Sequence, residues 1–289
     1  MISVVVVWGM NFSIMKGLYA YFDPLAFTLF RYAVAVLALS VLLKLRGLSL
    51  GMERQDLPAV IGLGFVSHTI YQMFFVIGLA NTRSGNAALL MAMTPVFAYL
   101  AGVLHKRETF SRQVLAGILL STAGVAAVVL LGTKEVSLAG SWRGDGLILG
   151  AAICWGWYTG SAARLILKYG ALRSNYLLML SGTVMMIPVL LPSVMHQSWT
   201  SIPARGWLAF CYSTFLSIIY GYLAWSHAIK WSGVARTAIY SNVTPIIALI
   251  GGWLLLGERP VMAQFFGAAL ILAGVFLVRT KRPAIKAAG

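Results

Sequence analysis

Long apolar stretches, separated by short polar turns, follow one another along almost the whole chain. Each stretch is roughly 18 to 23 residues long, enough for a helix to cross the hydrocarbon core of a bilayer, which is about 30 Å thick. The breaks between them carry turn residues, as in Asp23-Pro24 and Asn81-Thr82. The pattern predicts ten membrane-spanning helices, at Ile2–Ala20, Leu25–Leu45, Pro58–Ala80, Ala87–His105, Gln113–Leu131, Gly146–Lys168, Asn175–Met195, Gly206–Ala228, Arg236–Leu256 and Val261–Arg279.

Part of this pattern occurs twice, at an offset of 150 residues. The matched pairs are Thr94 and Thr244, Pro95 and Pro245, Glu108 and Glu258, Gly117 and Gly267, and Gly124 and Gly274. Rare residues such as Pro and Glu align together with common apolar ones, so chance does not explain the match. The sequence therefore predicts two copies of one unit, over residues 1–134 and 144–282.

Each copy has five predicted spans. Because five is an odd number, the second copy enters the membrane from the opposite side and is inverted relative to the first. The distribution of basic residues sets the orientation, since Lys and Arg accumulate in cytoplasmic loops. The loops on one side, together with the C-terminal tail, hold 15 Lys and Arg, whereas the other side holds 5. The fold class predicted is an all-α polytopic membrane protein with ten transmembrane helices, built as two inverted five-helix repeats with both termini cytoplasmic.

Composition agrees with a membrane protein: the chain is 60% hydrophobic and 10% charged, with a mean hydropathy of +0.86. A net charge of +15 in a soluble protein would suggest nucleic-acid binding. Here the basic residues lie in short loops and fix orientation, so no nucleic-acid partner is expected. Cys154 and Cys211 lie inside apolar runs and predict no disulfide. No removable signal peptide is expected, and a short cytoplasmic leader stays open.

Several short motifs resemble those of a known transporter family. They are Trp8-Gly9 with Asn11, Pro24, Arg31-Tyr32, Thr94-Pro95-Val96, Gly117 through Gly124, Trp155-Gly156, Ser241-Asn242, Thr244-Pro245, Leu256-Gly257-Glu258-Arg259, and Gly267 through Gly274. The chain resembles the EamA family of the drug/metabolite transporter superfamily, and within it the bacterial exporters of amino acids and aromatic metabolites. The Gly-Glu-Arg motif is complete in the second half only, since the first half has Lys106-Arg107-Glu108-Thr109. The resemblance implies a plasma-membrane exporter with a cavity lined by spans one, three, four, six, eight and nine.

Polar and aromatic residues recur at helical spacing within these same spans. Trp8 and Asn11 share a helix face, as do Trp155 and Tyr158. In the eighth span, Ser213, Ser217, Tyr220, Ala224 and His227 form a small, polar and aromatic stripe. Polar side chains in membrane spans usually face the bundle interior, although aromatic stripes also serve packing. The candidate substrate-binding residues are Trp8, Asn11, Lys16, His68, Tyr71, Gln72, Trp155, Tyr158, Tyr220, His227, Tyr240 and Asn242. Lys16 equally suits snorkelling to the outer interface, and Arg31 suits helix-to-helix hydrogen bonding.

Two prolines fall in the middle of predicted spans. Pro95 and Pro245 each remove a backbone hydrogen bond and disturb the preceding turn. Freed carbonyl groups at this depth are tolerated where they line a cavity or are buried in protein. Both prolines are therefore candidate hinges, and the alternative is a static kink stabilised by the hydroxyls of Thr94 and Thr244.

The acidic residues limit the chemistry of the transported molecule. All seven Asp and Glu lie in loops or at the ends of spans, so none is available mid-membrane to bind Na⁺ or to relay protons. A substrate with a carboxylate and an apolar or aromatic body suits the cationic and aromatic lining better than a permanent cation does. The sequence predicts a secondary transporter that exports small metabolites, chiefly apolar or aromatic amino acids, by alternating access through a central cavity. The alternative is a multidrug exporter of planar aromatic cations.

Other classes fit the sequence less well. A membrane-embedded enzyme needs a convergent acid/base or metal set, and His68 and His227 are isolated. A channel needs a selectivity ring, which the sequence does not show, and a passive scaffold is the remaining alternative. We expect a multi-pass protein of the bacterial inner membrane with a small-molecule substrate and lipid as partners. No cofactor, metal or catalytic residue is expected, and both a homodimer and a monomer stay open.

Overall fold

A computed structural model describes residues 1–82, 84–132, 142–247, 250 and 261–280; the side chains at positions 12, 13, 16, 84, 85 and 132 also lie outside the described part. The described residues form helices and no strand. We number the helices in chain order as α1 (Ile2–Leu18), α2 (Pro24–Leu45), α3 (Leu57–Gly64, Phe65–Ile70 and Tyr71–Asn81), α4 (Ser84–Met91 and Thr94–Leu104), α5 (Arg112–Gly132), α6 (Trp142–Ser161), α7 (Ala163–His196), α8 (Ala204–Cys211, Tyr212–Tyr220 and Gly221–Ser232), α9 (Val234–Ala238, Ile239–Val243 and residues 244–247) and α10 (Met262–Thr280).

Length and apolar composition make this a multi-pass membrane protein. Seven helical stretches in the described residues are long and apolar enough to cross a membrane. They are Pro24–Leu45, Arg54–Asn81, Asn86–Leu104, Arg112–Leu131, Ala163–His196, Ala204–Ser232 and Met262–Thr280. Residues 248, 249 and 251–256 of the predicted ninth span lie outside the described residues, as does Glu258, which follows that span.

The boundary between the sixth and seventh predicted spans is a turn at Gly170. Gly170 has a φ of 79° and a ψ of 163° inside α7, a conformation that glycine adopts without the penalty a Cβ brings. Helical hydrogen bonding passes from α6 into the first residues of α7, since the Ala162 N–H donates to the Tyr158 carbonyl at 2.8 Å and the Ile166 N–H to the Ala162 carbonyl at 2.9 Å. The predicted sixth span thus runs through α6 and residues 163–169, and the chain reverses at Gly170.

Two helices contain a π-helical segment at related positions. These segments are Phe65–Ile70 in α3 and Tyr212–Tyr220 in α8, and they begin 147 residues apart, the offset that separates Trp8 from Trp155. π-Helical turns are rare and occur frequently at functional sites. The α3 segment packs closely on α7, where a Cβ on Gly182 would lie 2.5 Å from the His68 Cβ. Sequence periodicity at 3.6 residues per turn does not predict such segments.

Helices α5 and α10 pack through the two repeated glycine pairs. A Cβ on Gly117 would lie 2.9 Å from the Gly274 carbonyl oxygen, and a Cβ on Gly124 would lie 2.7 Å from the Gly267 carbonyl oxygen. The first glycine of α5 therefore meets the second of α10, and the second meets the first, so the two helices are antiparallel. In the repeat, Gly117 corresponds to Gly267 and Gly124 to Gly274. The Gly117–Gly274 contact and the Gly124–Gly267 contact are therefore equivalent when the two copies are exchanged. Small residues permit this close approach.

Contacts between loops fall into two groups, one at each end of the bundle. At the end that we call the Asp56 end, the buried Asp56 carboxylate accepts hydrogen bonds from Lys168 and Tyr169 at 2.6 Å each. At the opposite end, which we call the Gln197 end, the Gln197 amide bonds the backbone of Tyr21 and Asp23. Each group joins loops that the sequence places on one side of the membrane.

Candidate functional site

Six aromatic side chains from four helices meet inside the bundle. This ring cluster consists of Trp8 from α1, Tyr71 from α3, Trp155 and Tyr158 from α6, and Tyr222 and Trp225 from α8. The ring centroid of Trp155 lies between 5.0 and 5.8 Å from each of the other five centroids. These separations are within the range in which aromatic pairs attract one another. Residues from the two sequence copies therefore share one aromatic surface.

The π-helical segment of α8 fixes the position of Trp8. The indole Nε1–H of Trp8 donates a hydrogen bond of 2.9 Å to the carbonyl oxygen of Ser217, inside that segment. Gly221, one turn further, leaves the space that the indole occupies, because a Cβ there would lie 2.5 Å from Nε1. The altered hydrogen-bond ladder and the missing side chain together create the recess for this tryptophan.

His68 lies beside the ring cluster. Its ring centroid is 5.3 Å from Tyr222, 5.6 Å from Tyr32 and 5.9 Å from Tyr158. The side chain is fully buried, and neither imidazole nitrogen has a hydrogen-bond partner among the described residues. Buried polar atoms are usually hydrogen-bonded, so an unpaired imidazole between three tyrosine rings keeps His68 a candidate for the site.

A chain of polar contacts joins the ring cluster to a buried guanidinium. Arg31 donates from Nη2 to the Gln72 amide oxygen at 2.9 Å and from Nη1 to the Ser213 hydroxyl at 3.2 Å. The Gln72 amide nitrogen donates to the Tyr32 hydroxyl at 2.8 Å, which is 3.1 Å from the hydroxyl of Tyr222. Helices α2, α3 and α8 are thereby linked through one polar network.

Seven of the candidate residues predicted from the sequence lie in the ring cluster, beside it, or along the polar contacts around Arg31. They are Trp8, Asn11, His68, Tyr71, Gln72, Trp155 and Tyr158. The Asn11 amide donates to the sulfur of Met15 at 3.2 Å, and Met15 is also a partner of Arg31. The side chain of Lys16 lies outside the described part of the structure, so its predicted role stays a prediction.

The other four predicted residues lie apart from the cluster. Tyr220 is 39% exposed and its hydroxyl bonds Ser3 at 2.7 Å, while His227 is exposed and contacts the Leu223 carbonyl. Tyr240 packs against a group of buried apolar residues from α5 and α10. Asn242 is buried and donates weakly to the Thr122 hydroxyl at 3.4 Å. The structure does not bring these four residues to the ring cluster.

Tyr222 and Trp225 were not predicted from the sequence, and α8 explains why. A 3.6-residue period carried from Ser213 and Ser217 selects Tyr220, Ala224 and His227 for the inner face. The π-helical segment contains more residues per turn, so the inner face beyond it moves to Tyr222, Trp225 and Ser226. The i, i+3 spacing of these two aromatic residues, the same as that of Trp155 and Tyr158, was the only signal available.

The two predicted hinge prolines occupy similar positions. Pro95 follows an interruption of α4 between Met91 and Thr94, and Pro245 follows the 3₁₀ segment Ile239–Val243 of α9. At the first site the Thr122 hydroxyl donates to the carbonyl of Ala92 at 3.2 Å. The Thr94 hydroxyl, considered above as the stabiliser of a static kink, has no partner among the described residues.

Metal-ligating side chains do not gather anywhere in the part of the chain that the structure describes. The His, Cys, Asp and Glu residues there form no group of three or more. Both described cysteines, Cys154 and Cys211, are free. A groove of about 490 Å³ at the Gln197 end is lined by Tyr21, Asp23, Pro192, Ser193, His196, Gln197, Ser198 and Ser201, none of which belongs to the ring cluster.

A helical membrane bundle with an internal aromatic and polar site is typical of small-molecule transporters. The profile of the EamA-like transporter family matches residues 1–130 and 142–280. The chain therefore belongs to the EamA-like transporter family. It is a membrane transporter and not an enzyme.

Several named proteins are similar over nearly their whole length. The uncharacterized transporter YyaM of Bacillus subtilis (strain 168) is 30% identical over 92% of this chain and 88% of its own. A probable terminal-alkyne amino-acid exporter of Streptantibioticus cattleyicolor is 28% identical over 97% and 92%, respectively. A probable amino-acid metabolite efflux pump of Salmonella typhimurium is 26% identical over 95% and 91%. A protein crystal structure superposes with a TM-score of 0.80 at 17% identity, covering 96% of this chain and 93% of that one, which shows the fold alone.

Proposed function

We propose that this protein exports apolar or aromatic amino acids across the bacterial inner membrane by alternating access. The observation that carries the proposal is the ring cluster, in which Trp8 of the first copy meets Trp155 of the second at 5.6 Å. Aromatic faces supply contact area for an apolar side chain. A site shared by two copies opens to either side of the membrane when the copies exchange conformations.

The transmembrane arrangement that we propose has ten spans in two inverted repeats, residues 1–134 and 144–282, with both termini in the cytoplasm. The antiparallel contact between α5 and α10 supports the inversion. The excess of Lys and Arg in the loops of the Asp56 end supports the orientation. On this assignment the Gln197 end faces the periplasm.

The charge distribution favours a substrate with a carboxylate. Arg31 is buried to 97% within α2, and no described Asp or Glu forms an ion pair with it. The described ion pairs lie at the Asp56 end, among Glu53, Asp56, Arg164 and Lys168. Two of the relatives bear names that contain amino-acid export, which supports the same substrate class.

The competing function is export of planar aromatic cations. The ring cluster alone would hold such a cation by cation–π contact, which is worth about 0.5–2 kcal/mol. A buried guanidinium next to the cluster opposes a cationic ligand, since like charges in a low-dielectric site repel one another. The amino-acid assignment is therefore preferred.

Transport by purified protein in proteoliposomes tests the proposal. Uptake of radiolabelled phenylalanine, leucine and glutamate is compared with uptake of methyl viologen, with and without a pH gradient. Saturable uptake of phenylalanine and leucine is expected, with weak uptake of glutamate and of the dication. Uptake of methyl viologen without that of any amino acid contradicts the proposal and supports the multidrug alternative.

A further inference from the structure

The guanidinium of Arg31 is held by weak, neutral acceptors. Its Nη1 lies 3.5 Å from the Met15 sulfur and 3.2 Å from the Ser213 hydroxyl, and its Nη2 lies 2.9 Å from the Gln72 amide oxygen. The Nε–H is buried and has no partner among the described residues. The Phe27 ring covers one face at 4.9 Å. A thioether, a hydroxyl and an amide do not neutralise the charge.

A second unpaired polar atom lies on the same small group of residues. Asn11 is 91% buried, its amide nitrogen donates to the Met15 sulfur at 3.2 Å, and its carbonyl oxygen has no partner among the described residues. Arg31 and Asn11 therefore bond one sulfur atom from two helices. The unpaired Arg31 Nε–H and the unpaired Asn11 carbonyl oxygen thus belong to two side chains that share one hydrogen-bond partner.

Such an arrangement complements a zwitterion. A carboxylate accepts charge-assisted hydrogen bonds from a guanidinium, which are about twice as strong as neutral ones. An ammonium group donates to an amide oxygen. A buried charge without a counter-ion is costly, and the cost falls when an anion arrives. The neutral partners of Arg31 are readily replaced by a carboxylate. The guanidinium is therefore free to bind an anionic ligand, which it could not do in a permanent ion pair.

We propose that Arg31 and Asn11 form the headgroup site of the transporter, in which Arg31 binds the substrate carboxylate and the Asn11 carbonyl oxygen accepts from its ammonium group. This inference rests on the proposed function and gives a ligand-binding role to Arg31, for which the sequence suggested hydrogen bonding between helices. The hydrogen-bond chain through Gln72 and Tyr32 reaches Tyr222 of the ring cluster. The headgroup site and the aromatic surface are thus parts of one site.

The alternative is that Arg31 serves only to join α1, α2, α3 and α8. The two roles differ for ligands that lack one half of the headgroup. Binding of phenylalanine, phenylethylamine (which lacks the carboxylate) and 3-phenylpropionate (which lacks the ammonium) is measured by quenching of tryptophan fluorescence. We expect wild type to bind phenylalanine at least about tenfold more tightly than either analogue, a factor of ten being the effect of one modest polar interaction.

Two variants separate recognition from folding. Arg31→Gln should lower the affinity for phenylalanine at least about tenfold and leave the affinity for phenylethylamine within about twofold of the wild-type value. Gln72→Glu places a carboxylate at the position that now bonds Nη2, so that an internal anion competes with the substrate. This variant should retain or gain thermal stability and still lose phenylalanine affinity. It keeps the proposal testable if Arg31→Gln does not fold.

The outcomes distinguish this inference from the proposed function. Equal losses for phenylalanine and phenylethylamine in Arg31→Gln, or full phenylalanine affinity in a stable Gln72→Glu, overturn the headgroup assignment and leave amino-acid export standing. Absence of uptake of any amino acid by wild type overturns both. If Asn11→Ala weakens the binding of phenylalanine and phenylethylamine but not that of 3-phenylpropionate, the role of Asn11 toward the ammonium group is supported. If the binding of all three ligands changes equally, that role is contradicted.

Discussion

The indole rings of Trp8 and Trp155 meet nearly perpendicular to one another, with centroids 5.6 Å apart and an interplanar angle of 77°. The two residues occupy equivalent positions in the two sequence copies, each followed by glycine. The following glycines also have related neighbours, 150 residues apart: a Cβ on Gly9 would be 3.9 Å from the Ile247 Cγ2, and one on Gly156 would be 2.5 Å from the Phe97 Cβ. Because Trp8 and Trp155 contact one another, they lie where the two repeats meet. A small movement of one repeat relative to the other would change the surroundings of both tryptophans.

Gly221 is required for the position of Trp8. We expect Gly221→Ala to displace the indole, break its hydrogen bond to Ser217 and reduce phenylalanine uptake at least about tenfold, equivalent to about 1.4 kcal/mol. Gly62→Ala in α3 is the matched control, because a Cβ there meets nothing within 4 Å. Unchanged uptake and an unchanged fluorescence maximum in Gly221→Ala contradict this role for the glycine.

The glycine contact between α5 and α10 determines stability rather than chemistry. Gly274→Ala places a methyl group against the backbone of Gly117 and Ser121, and overpacking of this kind costs about 1–3 kcal/mol. The midpoint of thermal unfolding in detergent should fall. Gly17→Ala, on the open face of α1, should instead hold or raise it, since alanine is favoured over glycine in helices by about 1 kcal/mol. Equal midpoints for the two variants argue against a tight α5–α10 contact.

Glu108 connects the two halves at the Asp56 end. Its carboxylate accepts from the backbone N–H groups of Val234 at 2.8 Å and Ala235 at 3.2 Å, and so caps the beginning of α9. Loss of a helix cap costs about 0.5–2 kcal/mol. Glu108→Ala should lower the unfolding midpoint, while Glu108→Gln, which keeps an acceptor oxygen, should lower it less. Midpoints that fall equally would assign the effect to charge rather than to capping.

The two hinge prolines predict a kinetic effect. Pro95→Ala and Pro245→Ala restore a backbone donor and favour a straighter helix. If these residues permit alternating access, the maximal uptake rate should fall several-fold while phenylalanine affinity, measured by fluorescence, changes little. Pro188→Ala in α7 is the control, because Pro188 also lies inside a helix but has an exposed side chain. Equal rates for all three variants and wild type contradict a hinge role.

Much of the helical architecture follows from apolar length and turn residues, because both act locally. The repeated glycine pairs are visible in the sequence, and the structure adds that each glycine of one pair meets the opposite glycine of the other pair. The inner face of α8 did not follow, since the π-helical segment at Tyr212–Tyr220 changes the helical phase. A 3.6-residue period therefore selected Tyr220 and His227 in place of Tyr222 and Trp225.

Arg31 shows a second limit of sequence reasoning. A single arginine in an apolar span is compatible with hydrogen bonding between helices or with ligand binding. The choice between them depends on the nature of its partners. Only the three-dimensional arrangement shows that those partners are a sulfur, a hydroxyl and an amide, without a carboxylate among the described residues. Ser213 is 182 residues from Arg31 in the sequence, so no local pattern indicates that its hydroxyl contacts the guanidinium.

The most direct test of a shared aromatic site compares two neighbouring tryptophans on α6. Trp155 is 5% exposed at the middle of the ring cluster, whereas Trp157 is 39% exposed and contacts His105 instead. Radiolabelled phenylalanine uptake into proteoliposomes is measured for Trp155→Ala and Trp157→Ala at matched protein content. The account predicts a loss of at least about tenfold for Trp155→Ala, since several ring contacts of about 0.5–1.5 kcal/mol each are removed, and near wild-type uptake for Trp157→Ala. Equal uptake by the two variants would contradict it.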